Sequence, residues 1–100
     1  MFKYSFVVLA AAIGLTSALD VFNDANYQGQ SCRFGTPSGQ CINIPSACAG
    51  QVSSVSYYND WVCTLYDSSL CRGSNVEVTG SNAAYLGSFN DKARSVICYQ

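Results

Sequence analysis

Two stretches of this 100-residue chain repeat one pattern. Phe22-Asn23-Asp24-Ala25-Asn26-Tyr27-Gln28-Gly29 and Tyr66-Asp67-Ser68-Ser69-Leu70-Cys71-Arg72-Gly73 each open on an aromatic and close on a glycine seven residues later. Five positions after each glycine stands an apolar residue, Phe34 and Val78. Further on, a serine opens a second apolar run, Ser54-Val55-Ser56-Tyr57 in the first half and Ser95-Val96-Ile97-Cys98-Tyr99 in the second. One glycine and one serine would be ordinary turn residues. The same four features in the same order twice make the chain a duplicated unit. The physics of the unit is legible: the glycine ends a tight hairpin where φ > 0 is needed, the aromatic lies across it as a lid, and the serine hydroxyl reaches back to its open backbone.

Between these landmarks run short β-branched and aromatic stretches bounded by Gly, Asn, Asp, Ser and Pro. The strand candidates are Leu19–Phe22, Ser31–Phe34, Val52–Tyr57, Val62–Tyr66, Asn75–Val78 and Ser95–Tyr99. No run past residue 18 has helical period, so the chain reads as all-β. Pro37 and Pro45 fall between strands, where they cost no ladder bonds.

The first 18 residues read differently. Lys3 precedes the apolar run Phe6–Leu15 and the small-residue stretch Thr16-Ser17-Ala18, the order of a secretory signal peptide cut after Ala18. The run is about half the roughly 20 residues a spanning helix needs. The expected mature chain, 19–100, divides into motif one at about 19–58 and motif two at about 61–100. It holds all six cysteines, Cys32, Cys41, Cys48, Cys63, Cys71 and Cys98. An even number in an exported chain predicts three disulfides, and no two lie at the two-residue spacing of a metal or redox pair. Connectivity stays open at this stage.

Composition excludes several chemistries. With no histidine, the usual base of serine and cysteine hydrolases and the commonest zinc ligand are missing. In residues 19–100 four cations face six acids, a net charge of −2, which leaves no basic stripe for a phosphate backbone. Asp60, Asp67, Glu77 and Asp91 are carboxylates without material for a cleft around them, and they read as surface charges.

The doubled pattern resembles the βγ-crystallin Greek-key motif, which has an aromatic-acidic pair, a second aromatic five after the first, then x-Gly, and later a Ser before an apolar strand. Phe22, Tyr27, Gly29, Phe34 and Ser54 match in one half, and Tyr66, Asp67, Gly73, Val78 and Ser95 in the other. Asn23 departs at the acidic place and Cys71 at the second aromatic. The resemblance implies a two-sheet Greek-key β-sandwich, with each motif lending a strand to the other's sheet. Alternation then turns Leu19, Val21, Val55, Tyr57, Cys63, Leu65, Val96 and Cys98 inward. A Cys63–Cys98 bridge is the pairing this favours among 15.

In calcium-binding members, a stretch of two Asn or Asp, two variable residues, Ser or Thr, and Ser precedes each last strand. Here the stretches are Ala49-Gly50-Gln51-Val52-Ser53-Ser54 and Asn90-Asp91-Lys92-Ala93-Arg94-Ser95, and each keeps the half the other lost. The resemblance implies one weak Ca²⁺ site combining Asp91, Asn90 and Ser53, and a dead one combining Gly50 with Arg94. No other cofactor is expected.

The fold and composition together predict a secreted, non-enzymatic, monomeric domain with a structural or binding role. Its partner would be an extracellular protein or glycan surface, with Tyr58 and Trp61 as the exposed aromatic pair. Two other secreted roles of small relatives remain: a killer-toxin or effector protein, against which the net charge argues, and a metallopeptidase inhibitor. The inhibitor would use Gly35-Thr36-Pro37-Ser38-Gly39-Gln40-Cys41 as its loop.

Overall fold

Among the described residues the chain forms eight strands in two sheets. The structure, a computed structural model, describes residues 16–57, 61–79 and 82–99. The strands are β1 (Thr16–Asp24), β2 (Gln28–Pro37), β3 (Cys41–Asn43), β4 (Ser54–Tyr57), β5 (Val62–Ser68), β6 (Arg72–Val78), β7 (Asn82–Ala83) and β8 (Ser95–Tyr99), with one 3-10 turn at Gly87–Phe89. One sheet has the order β2-β1-β4-β7 and the other β3-β8-β5-β6, and all neighbours run antiparallel. β3 comes from the first motif and β7 from the second, so each motif places one strand in the other's sheet. These two strands escape a sequence reading because, at three and two residues, they are too short to show a period of two.

Inward-facing positions alternate as expected. Leu19, Val21, Val55, Leu65 and Val96 are fully buried, and Cys63 and Cys98 nearly so. Ile44, Cys48, Val52, Val78, Leu86, Phe89 and Ala93 belong to the same cluster. The side chain of Tyr57 lies outside the described set.

Residues 1–15, most of the expected leader, also lie outside it. β1 nevertheless begins at Thr16, and Thr16, Ser17 and Ala18 pair with Pro37, Thr36 and Gly35. A chain cut after Ala18 would start β1 at Leu19 and lack these three pairs.

Trp61 corrects an expectation. It is 5% exposed and belongs to the core cluster rather than to a surface patch. An indole removes 150–250 Å² of largely apolar surface from water when buried, more than one short linker gains by presenting it. Its supposed companion Tyr58 is outside the described residues. The segment 35–41 is also not a protruding loop. Gly35, Thr36 and Pro37 end β2, and Thr36 is 1% exposed. The turn that remains is tied down by Gly39 N–H donating to the Cys98 carbonyl (2.8 Å) and Gln40 N–H donating to the Pro37 carbonyl (3.1 Å).

All six cysteines are paired, as Cys32–Cys48, Cys41–Cys71 and Cys63–Cys98. The first bridge lies within motif one and the third within motif two, where Cys63 and Cys98 face each other across β5 and β8. Cys41–Cys71 alone joins the motifs.

Candidate functional site: two hairpins and two crossed loops

Each hairpin of the repeat is locked by its serine. In the β1–β2 turn, Asn26 and Tyr27 hold φ of 59° and 61°. In the β5–β6 turn, Leu70 and Cys71 hold 62° and 54°. Such left-handed residues expose backbone groups that need partners. The Ser54 hydroxyl donates to the Asp24 carbonyl (2.7 Å) and accepts the Tyr27 N–H (3.0 Å). The Ser95 hydroxyl donates to the Ser68 carbonyl and accepts the Cys71 N–H (2.8 Å). Both serines are fully buried.

Gly29 and Gly73 follow with φ of 80° and 87°, and a carboxylate lies over each. A Cβ on Gly29 would sit 2.6 Å from Asp24 Oδ2, and on Gly73 it would meet Asp67 Oδ1. Asp67 Oδ1 also accepts the Ser74 N–H at 3.0 Å. Asn23 fills the acidic place in the first motif, but the neighbouring Asp24 covers that glycine. In the first hairpin the Phe22 and Tyr27 rings meet edge to face with centroids 5.8 Å apart. Cys71 stands where Tyr27 does, and its sulfur bonds Cys41 on β3.

The loops before β4 and β8 cross one another through matched bonds. Asp91 N–H donates to the Val52 carbonyl (2.9 Å) and Gly50 N–H to the Ala93 carbonyl (2.8 Å). Ser53 N–H reaches the Phe22 carbonyl (2.8 Å), as Arg94 N–H reaches that of Tyr66 (2.7 Å). The structure therefore brings the Asp91 loop onto the Val52–Ser53 segment and the Gly50 loop onto the Ala93–Arg94 segment.

The two crossings differ in chemistry. At the first, Asp91 is exposed with φ 64°, and the Ser53 hydroxyl donates to the Asn23 carbonyl at 2.8 Å. The side-chain oxygens of Asn23 and Asn90 are buried there without a hydrogen-bond partner, an unusual cost for amide oxygens. This donor set is all oxygen with one carboxylate, which fits weak Ca²⁺ coordination. Among the described residues no three His, Cys, Asp or Glu side chains gather where they could hold a metal ion. At the second crossing, a Cβ on Gly50 would lie 3.1 Å from Arg94 Nη2. A guanidinium over a glycine does not fit a cation. Asn23 is the residue that sequence reasoning passed over; its only signal was its place beside Phe22, the partner of Ser53.

Comparison with solved structures decides the fold. The N-terminal domain of protein S superposes with a TM-score of 0.67 at 24% identity, covering 83% of this chain and 96% of that one. The chain has the βγ-crystallin fold. A βγ-crystallin domain from Clostridium beijerinckii matches with a TM-score of 0.68 at 22% identity, over 82% of this chain and 97% of that one. A domain solved in work on the evolution of the eye lens βγ-crystallin fold matches with a TM-score of 0.68 at 19% identity, over 83% and 85%. No family model matches the sequence, and no curated protein matches it. The likeness to βγ-crystallin domains is thus one of architecture rather than of overall identity.

Proposed function

We propose that this chain is a secreted, disulfide-stabilised βγ-crystallin-fold domain without catalytic activity. It would serve a structural or binding role outside the cell and carry one weak Ca²⁺ site. The observation that carries this reading is the pairing of all six cysteines in so small a sandwich. Three bridges of this kind each add roughly 2–4 kcal/mol, which suits an oxidising compartment and a core of limited size. No helix among the described residues is long and apolar enough to cross a membrane.

The calcium part is supported by the Asp91 N–H bond to the Val52 carbonyl, which brings the backbone at Asp91 against the segment that leads into Ser53. Asp91, Ser53 and the amide oxygen of Asn90 would hold the ion, with Asn23 adding a further oxygen. Bound Ca²⁺ would supply charge neutralisation between the two loops. One carboxylate, with Lys92 next in sequence, places the affinity in the extracellular range of about 10⁻⁴–10⁻³ M. The test is thermal melting of the oxidised protein with and without millimolar Ca²⁺. A rise in Tm that Asp91→Asn abolishes supports the site. An unchanged curve removes calcium and leaves the disulfide-stabilised domain standing.

A further inference from the structure

The geometry points to a second role for Cys71: we propose that Cys41–Cys71 is a redox-addressable clasp between the two motifs, opened by a dithiol reductant while the other bridges stay closed. Three observations converge on it. It is the bridge whose two halves belong to different motifs, joining edge strand β3 to the tip of the β5–β6 hairpin. It is also the bridge with both cysteines half-exposed. Cys63 and Cys98 are each 1% exposed, and Cys48 is fully buried behind Cys32. Finally, Cys71 is flanked by exposed Leu70 and Arg72 on a two-residue left-handed tip, so a thiolate has a path to its sulfur.

The exchange is an in-line displacement, and such reactions follow access to sulfur. A thiolate of the reductant bonds to Cys71 Sγ, breaking the Cys71–Cys41 bond. Cys41 leaves as a thiolate and takes up a proton. The reductant's second thiol then displaces Cys71, which leaves as a thiol, and the reductant departs oxidised by two electrons.

Opening the clasp has a local consequence. β3 is held to β8 over Cys41↔Ile97, Ile42↔Val96 and Asn43↔Ser95, and to the hairpin tip by the Leu70 N–H bond to Asn43 Oδ1 (2.9 Å). That bond is solvent-exposed. In the first motif the equivalent tip has the Phe22–Tyr27 ring contact; at Cys71 the bridge stands in its stead. Without it the tip keeps its Ser95 bonds and β3 its pairing with β8, but the tie described between tip and β3 is that one exposed bond, while motif one retains Cys32–Cys48 and motif two retains Cys63–Cys98.

The experiment is stepwise reduction of the native, full oxidised protein with dithiothreitol in the absence of denaturant. It is quenched with iodoacetamide and mapped by peptide mass spectrometry. The expected first product carries label on Cys41 and Cys71 together, formed at least roughly tenfold faster than any label elsewhere. Hydrogen exchange of that product should rise at residues 41–43 and 69–72 and stay unchanged in β1, β4 and β5. First labelling at Cys32 and Cys48, or all six cysteines labelling together, overturns the proposal. So does a two-label species whose exchange is uniformly raised.

Discussion

Arg94 stands over Gly50, its Nη2 3.1 Å from where a Cβ on residue 50 would be, in the place that Asp91 and Ser53 occupy at the other loop crossing. One position of the repeat thus holds a hydroxyl in one half and a guanidinium in the other. Gly50 and Asp91 share the left-handed conformation, with φ of 76° and 64°.

Restoring the lost half carries the cost of a side chain at positive φ, which Asp tolerates better than most residues and which Asp91 already bears. The double variant Gly50→Asp, Arg94→Ser is expected to gain a Ca²⁺ response that the parent loop lacks. With an affinity near 1 mM, 10 mM Ca²⁺ would add about 1.4 kcal/mol, or roughly 6–11 °C in Tm. The single Gly50→Asp variant, still facing Arg94, should show no such gain. Differential scanning calorimetry at two Ca²⁺ concentrations separates the outcomes.

Ser54→Ala and Ser95→Ala each remove a buried hydroxyl that serves a carbonyl and an N–H. Each should cost about 1–3 kcal/mol in guanidinium unfolding, because the hairpin groups left behind are shielded from water. A loss below about 0.5 kcal/mol in both variants would show that the hairpins hold without their serines.

Gly73→Ala should destabilise by more than 1 kcal/mol or so, through positive φ and collision with the Asp67 carboxylate. Adding Asp67→Ala removes the collision but not the conformational cost. Partial recovery in the double variant, measured by thermal melting, is the expected signature; full recovery would assign the whole effect to the carboxylate.

Trp61 is the single tryptophan and sits in the core. Its emission should be blue-shifted in the native protein, resist acrylamide, and move red only with global unfolding. Ready quenching in the native state would contradict its burial.

Much of this was legible in the sequence, and the limits have physical causes. Phe22, Gly29 and Ser54 announced their hairpin because positive φ, a ring lid and a buried hydroxyl each demand a narrow residue choice, and the second copy repeated the demand. Inward alternation exposed the core of β1, β4, β5 and β8. β3 and β7 left no trace, since two or three residues cannot establish a period. Trp61 misled because an aromatic beside polar Asn59 and Asp60 looks the same whether it turns in or out. Asn23 and Asn90 were visible as residues, but the lack of partners for their side-chain oxygens is a property of three dimensions. Cys71 was visible as an exception to the repeat, while its partner on β3 depended on a strand the pattern could not reveal.

The crossing of β3 and β7 into opposite sheets means that the molecule has no seam along which it divides. A fragment ending near residue 58 would carry three strands of one sheet and a lone strand of the other, with hydrogen-bonding edges and apolar faces waiting for complement. Two such fragments, supplied separately, are natural candidates for reassembly, and a split version of this domain should report the meeting of its halves.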